Sequence, residues 1–169
     1  MSERMDCATK ILTREQLLSW RQEFRAAGKR LVATNGCFDL LHAGHVLYLQ
    51  AARNLGDGLL VGVNSDAAVR QLKGPDRPLN SESDRALVLA GLECVSAVFI
   101  FPEVRATDFL RTVQPDIYAK GGDYTLETLD QNERAAVEHS GGQISLIPFV
   151  PGKSTSRLIA RMRSGGAGD

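Results

Sequence analysis

His42 and His45 stand three residues apart, flanking Ala43-Gly44, and Asn35-Gly36-Cys37-Phe38-Asp39 runs just ahead of them. Lys73 lies in a Lys-Gly-Pro segment, Lys120 opens Lys-Gly-Gly-Asp-Tyr, and Lys153 precedes three hydroxyls, Ser154-Thr155-Ser156. Imidazoles, ammonium groups, hydroxyls and glycine-bared amides are what a protein needs to hold a chain of phosphates. A helix that starts at Ala43 would add its unpaired N–H groups and the positive end of its dipole. Gly44 would leave room for close approach. Two quieter roles compete for the histidines: a packed pair at a helix start, or two metal ligands. No third ligand with zinc spacing lies nearby.

The elements that must position these residues follow from periodicity. Leu31-Val32-Ala33 suits a buried parallel strand near 31–35, broken by Asn35-Gly36. Val46, Leu47, Leu49 and Leu55 then recur at helical spacing over about 43–55. Leu59 to Asn64 reads as a second strand, Ala97 to Phe101 as a third, Asp116 to Lys120 as a fourth and Gln143 to Ile147 as a fifth. Helices are predicted from Thr13, capped by a Thr13/Gln16 box, with Leu17, Leu18, Trp20 and Phe24 inward. Others run from Asn64-Ser65-Asp66 to about Leu72, with Asp66 as a cap, then over Ser81–Leu92, Glu103–Gln114 and Gln131–Ser140. A last one runs from Ser154 to about Met162. Alternating strands and helices of this length imply α/β architecture, a Rossmann-like doubly wound five-stranded parallel sheet. Its ligands bind at the C-terminal strand ends. The loops there, 35–45, 64–66, 120–124 and 148–156, hold most of the residues named above.

Composition narrows the class. The 169 residues suit one domain over 11–163, with 1–10 a flexible leader and 164–169 a flexible tail. Twenty basic and twenty acidic residues balance, so no global basic field exists for nucleic acid or an anionic membrane. No apolar run is long enough to span a bilayer. Three scattered cysteines, Cys7, Cys37 and Cys94, make neither a disulfide framework nor a zinc pattern, which points to a reduced, cytoplasmic protein. The first loop lacks GxGxxG, which argues against a dinucleotide oxidoreductase.

His42-Ala43-Gly44-His45 resembles the HxGH signature of the cytidylyltransferase-like nucleotidyltransferases. Thr34 to Asp39, Val63 to Asp66, Leu72-Lys73-Gly74, Arg77-Pro78, Lys120 to Tyr124 and Ser154 to Ser156 follow in the order of its heptose 1-phosphate adenylyltransferase branch. The likeness covers roughly residues 10–162. It implies the nucleotidyltransferase α/β phosphodiesterase type of fold. It also implies transfer of AMP from ATP to D-glycero-β-D-manno-heptose 1-phosphate, with Mg²⁺ accompanying the ATP. A homodimer and a link to a separate heptose 7-phosphate kinase are further implications. The nearest alternative is cytidylyl transfer to glycerol 3-phosphate or another phosphoalcohol; that branch usually carries Gly-Asp-Asp-Trp where this chain has Lys-Gly-Gly-Asp-Tyr. A non-catalytic nucleotide-binding protein is the other.

By that resemblance His42, His45 and Lys73 are catalytic. The nucleotide is held by Asn35, Gly36, Cys37, Phe38, Gly44, Lys120, Gly121, Asp123, Lys153, Ser154, Thr155 and Ser156, together with the histidines. Asp39, Lys73, Arg85 and Asp123 face the second substrate. Arg77 is left open, and no metal ligand is assigned. Asp39 reads equally well as a turn aspartate bonding backbone amides. Phe149 replaces the arginine the family often has five residues before Ser154. Cys37 reads as packing.

Overall fold

The computed structural model describes residues 6–122, 124–148 and 159. Five strands, β1 (Leu31–Gly36), β2 (Gly58–Asn64), β3 (Ala97–Phe101), β4 (Ile117–Gly121) and β5 (Gln143–Ile147), form one sheet in the order β3-β2-β1-β4-β5. Every pairing is parallel. The expected doubly wound sheet is therefore present. The helices are α1 (Arg14–Ala26), α2 (Ala43–Arg53), α3 (Asp66–Lys73), α4 (Glu82–Ala90), α5 (Thr107–Val113) and α6 (Gln131–His139).

Alternate residues along the strands feed two cores, as a pleated sheet covered on both faces requires. Leu31, Ala33, Leu60, Phe101 and Tyr118 pack with Leu17, Phe109 and Val137, from α1, α5 and α6. Val32, Val61, Val63, Val98 and Ala119 pack with Leu49 and Leu89, from α2 and α4.

Local signals set most helix ends. Thr13 and Gln16 form the expected capping box, and Gly28 turns the chain out with φ of 67°. Leu18, expected inward, is exposed; Arg21 is buried instead, donating to the Val113 and Gln114 carbonyls and pairing with Asp116. Ser65 alone caps α3, so Asp66 is the helix's first residue rather than its cap. Helix α5 begins four residues later than periodicity suggests. The Asn64 side chain holds the Glu103 and Val104 carbonyls, and Glu133 Oε1 accepts from the Ala106 N–H, so long-range bonds shape this stretch. Residues expected as a leader join the fold from Asp6. Cys7–Lys10 is a 3₁₀ turn, and the Lys10 ammonium donates to the Leu92 and Val95 carbonyls.

The sheet opens at its topological switch point. The β1–β4 register is limited to Val32↔Ile117 and Ala33↔Tyr118, while β1 stays paired with β2 to Gly36. Beyond Ala33 the gap is bridged by side chains. From one face Tyr48 Oη contacts Thr34 Oγ1 at 2.6 Å and donates to the Ala119 carbonyl at 3.0 Å. From the other come Asn35, Tyr118 and Lys120. In doubly wound sheets such a switch point is where ligands bind.

Candidate functional site

Helix α2 starts at the C-terminal edge of β1, and its cap is built from the two histidines. His42 is the N-cap, and its Nδ1 accepts from the Gly44 N–H at 3.1 Å. His45 Nδ1 accepts from the His42 N–H at 3.4 Å, a long bond. Serine or aspartate usually does this work. Because each Nδ1 accepts, the ring proton of each neutral imidazole sits on Nε2. The rings lie 3.9 Å apart between centroids, tilted by 31°. Burial, with His42 beside it, lowers the His45 pKa to about 4. His45 is thus a neutral donor near pH 7.

Phe38, expected to touch the nucleotide, serves as a prop. It is buried and meets His45 edge-on, with ring centroids 5.4 Å apart. Its φ of 47° is left-handed, an uncommon state for a bulky residue that costs about 1–3 kcal/mol. Gly36 makes room for this ring, since a Cβ there would stand 3.0 Å from Phe38 Cε2.

Asp39, expected to reach the sugar phosphate, is turned inward and 4 % exposed. Its carboxylate accepts from the Leu79 N–H (2.8 Å), the Asn80 N–H (3.0 Å) and Arg77 Nε (2.6 Å). Burial alone would raise its pKa; the bonds from Asn80, Leu79 and Arg77 outweigh burial and leave it below the ordinary value. The turn-aspartate role therefore describes it. Arg77, left open above, is its ion-pair partner.

Arg85, expected to contact phosphate, is 2 % exposed. Its guanidinium donates to the carbonyls of Asn80 (3.1 Å), Cys37 (2.6 Å) and Asn64 (2.8 Å) and to Asp66 Oδ1 (2.8 Å). It ties together three segments at the C-terminal edge of the sheet and has no face left for a ligand. Cys37 lies over this junction. Burial raises its thiol pKa, and Lys73, Arg85 and Arg77 nearby offset that only in part. Lys73 itself is the exposed last residue of α3.

Lys120, expected at the nucleotide or sugar, spends its ammonium within the protein. It donates to Tyr118 Oη (3.0 Å), Asn35 Oδ1 (3.3 Å) and Glu133 Oε2 (3.3 Å). Gly121 is packed against Tyr48: a Cβ there would fall 2.7 Å from the Tyr48 ring. Burial pushes the Tyr48 phenol up to about 12. Sequence reasoning missed Glu133. Its signal is the spacing Glu133, Ala136, Val137, which puts the carboxylate on the buried stripe of α6.

Asp123, Lys153, Ser154, Thr155 and Ser156 lie outside the described residues. Among the described residues, no group of three or more His, Cys, Asp or Glu is arranged to hold a metal ion. The nearby carboxylates, Asp39 and Asp66, are engaged by arginines. No helix among the described residues is long and apolar enough to cross a membrane.

Known proteins resemble this chain in sequence and in fold. The Methylobacillus flagellatus bifunctional protein HldE is 50 % identical over 157 residues, covering 93 % of this chain and 32 % of the relative. The HldE protein of Geotalea uraniireducens is 50 % identical over 160 residues, covering 95 % and 32 %. The chain thus spans about a third of the length of these curated relatives. Among solved structures, a lipopolysaccharide core biosynthesis protein from Thermoplasma volcanium superposes with a TM-score of 0.60 at 27 % identity, covering 73 % of this chain and 98 % of that one. A pantoate–β-alanine ligase from Francisella tularensis superposes at 0.57 with 13 % identity, covering 86 % and 68 %, a likeness of fold alone. A family model described as cytidylyltransferase-like matches residues 33–161, from the strand before the histidines to beyond the Ser154–Ser156 run, and the chain belongs to that family.

Proposed function

We propose that this chain transfers the adenylyl group of ATP to D-glycero-β-D-manno-heptose 1-phosphate, releasing ADP-heptose and pyrophosphate. An oxygen of the sugar phosphate attacks the α-phosphorus. One P–O bond forms there as the bond to the β-phosphate bridging oxygen breaks, and the leaving electron pair goes to pyrophosphate. The attacking phosphate is already ionised, so no strong base is required. The protein's task is alignment and charge stabilisation.

One observation carries the reading: two imidazoles with their protons fixed on Nε2 at a helix N-terminus, on the C-terminal edge of β1. They supply hydrogen bonds that strengthen as charge builds on the α-phosphate and the leaving group. In this reading Lys73 closes on the phosphates from the end of α3. Lys153, Ser154, Thr155 and Ser156 take the β- and γ-phosphates, and Asp123 faces the ribose or the sugar. Mg²⁺ enters with the triphosphate, held by phosphate oxygens and water. The substrate is the one that the motif resemblance implies, and identity of about 50 % to the bifunctional HldE proteins supports the reading. A cytoplasmic setting, a homodimer and a partner heptose 7-phosphate kinase belong to the same reading.

The test is a matrix of ATP and CTP against the heptose 1-phosphate, other sugar 1-phosphates and glycerol 3-phosphate, read by pyrophosphate release. ATP-dependent turnover of the heptose phosphate is expected. Turnover with CTP and glycerol 3-phosphate alone would replace the assignment. Changing His45 to Ala should slow turnover about 10²–10³-fold, the usual cost of one preorganised donor. An unchanged rate in the folded variant would leave a non-catalytic binding protein.

A further inference from the structure

Glu133 is 3 % exposed, and its two oxygens have separate partners. Oε1 accepts from the Ala106 N–H at 2.9 Å. Oε2 meets Tyr118 Oη at 2.9 Å and Lys120 Nζ at 3.3 Å. Those two groups converge in turn on Asn35 Oδ1, at 2.6 and 3.3 Å. Burial and the neighbouring Glu133 carboxylate hold the Tyr118 phenol well above its ordinary pKa, so it stays a neutral hydroxyl. An ammonium only donates. The atom of Asn35 that faces Lys120 must therefore be its oxygen, and the carboxamide nitrogen is turned away from the cluster. Among the described residues Asn35 Nδ2 has no hydrogen-bond partner. It is partly exposed at the C-terminal end of β1, one residue before Gly36 and beside the parted strands.

A carboxamide with no fixed partners flips at little cost and offers oxygen or nitrogen alike. Here the flip is locked. With glutamine in place of Glu133, Lys120 would lose its one charged acceptor among the described residues, and the lock on Asn35 would loosen. We propose that Glu133 is a positioning residue: through Lys120, with the single Tyr118 phenol proton shared between Glu133 Oε2 and Asn35 Oδ1, it holds the Asn35 carboxamide with its NH₂ presented as a donor to a phosphate or hydroxyl oxygen of a bound substrate. The inference rests on the nucleotidyl-transfer reading for the identity of that substrate, either the triphosphate or the sugar 1-phosphate.

The experiment compares Asn35→Ala, Glu133→Gln and the double variant with the wild type. Folding is checked by thermal melting. Calorimetry gives the Kd of a non-hydrolysable ATP analogue and, separately, of the sugar 1-phosphate; kcat and KM are measured alongside. Asn35→Ala should weaken one of the two ligands about tenfold, as expected for one hydrogen bond to a charged oxygen. Glu133→Gln should weaken that same ligand about three- to tenfold, raising its KM more than it lowers kcat. The double variant should bind no worse than Asn35→Ala alone, because Glu133 then has nothing left to orient. The ligand that weakens names the source of the oxygen. Glu133→Gln binding both ligands like wild type, or adding its full loss on top of Asn35→Ala, overturns the proposal.

Should Glu133→Gln fail to fold through loss of its grip on Ala106, Tyr118→Phe keeps that grip and removes only the hydroxyl. It should weaken the same ligand about two- to threefold, and unaltered binding of both ligands would count against the proposal. Wild-type protein that binds both ligands yet releases no pyrophosphate removes the transfer reading, while the variants' Kd values still decide the role of Glu133. Normal turnover with unshifted Kd values removes the role of Glu133 and leaves the transfer reading standing.

Discussion

Protonation of His45 is the step most sensitive to this geometry. An ordinary histidine takes up a proton near pH 6.5. Burial, with His42 alongside, delays that in the folded protein to about pH 4. Between those values the unfolded chain binds a proton that the folded chain refuses, so unfolding becomes easier as the pH falls. The stabilisation is whole above pH 6.5 and is lost progressively on the way to pH 4. Each pH unit of the gap is worth about 1.4 kcal/mol, which sets a ceiling of ~3 kcal/mol. His45 is only half-buried, so solvent screening brings the expectation down to about 1–2 kcal/mol. A heteronuclear NMR titration of the imidazole ring reads the midpoint directly, and urea unfolding at pH 7 and pH 5 reads the stability. kcat/KM reports the free enzyme, so it should show no break from His45 between pH 5.5 and 8. A His45 midpoint near 6.5 would refute the argument, because the ring would then titrate as an ordinary imidazole, with about a quarter of it cationic at pH 7.

Three other outcomes follow from packing. Replacing Arg85 with Met leaves Asp66 and three carbonyls without their donor; a loss of about 3–5 kcal/mol is expected, a drop in Tm on the order of 10 °C, and calorimetric melting within 2 °C of wild type would disprove the clamp. Asp39→Asn sets an amide against the Leu79 and Asn80 N–H groups and removes the partner of Arg77. It should cost about 2–4 kcal/mol in urea unfolding, whereas an exposed, ligand-facing aspartate would cost almost nothing. Gly121→Ala drives a methyl into the Tyr48 ring and should lose about 1–3 kcal/mol; chemical denaturation that finds it neutral would show that Tyr48 has room to move.

The strand–helix alternation was legible because it depends on local pattern. Ala97–Phe101 and Gln143–Ile147 are apolar runs between turn residues, and the structure gives them those same bounds. The place of the two histidines at a helix start was legible too, since glycine, strand end and helical period meet there; their capping of that helix was not. The start of α5 was not, because its determinants, Asn64 and Glu133, lie about 30–40 residues away. Asp39 and Arg85 misled for a related reason. A charged residue in a candidate loop looks like a ligand contact until its partners are known, and theirs come from separate segments. Arg85 did carry a hint: it lies one turn before Leu89, on the side of α4 that also buries Ala86. Glu133 carried the same hint on α6. A charge placed in phase with an apolar stripe is a candidate for internal clamping before it is a candidate for binding.

Asp39 has a consequence for movement. It rivets Leu79 and Asn80 to the histidine loop and grips Arg77, while Lys73 is still wound into α3. That leaves a tether of three residues, Gly74 to Asp76, between two moored ends. At about 3.5 Å per residue fully stretched, it spans little more than 10 Å. The Arg77 N–H donates to the Gly74 carbonyl at 3.2 Å and folds this tether into a turn, so the reach of Lys73 towards a triphosphate is that of its own four methylenes plus whatever opening this one turn releases.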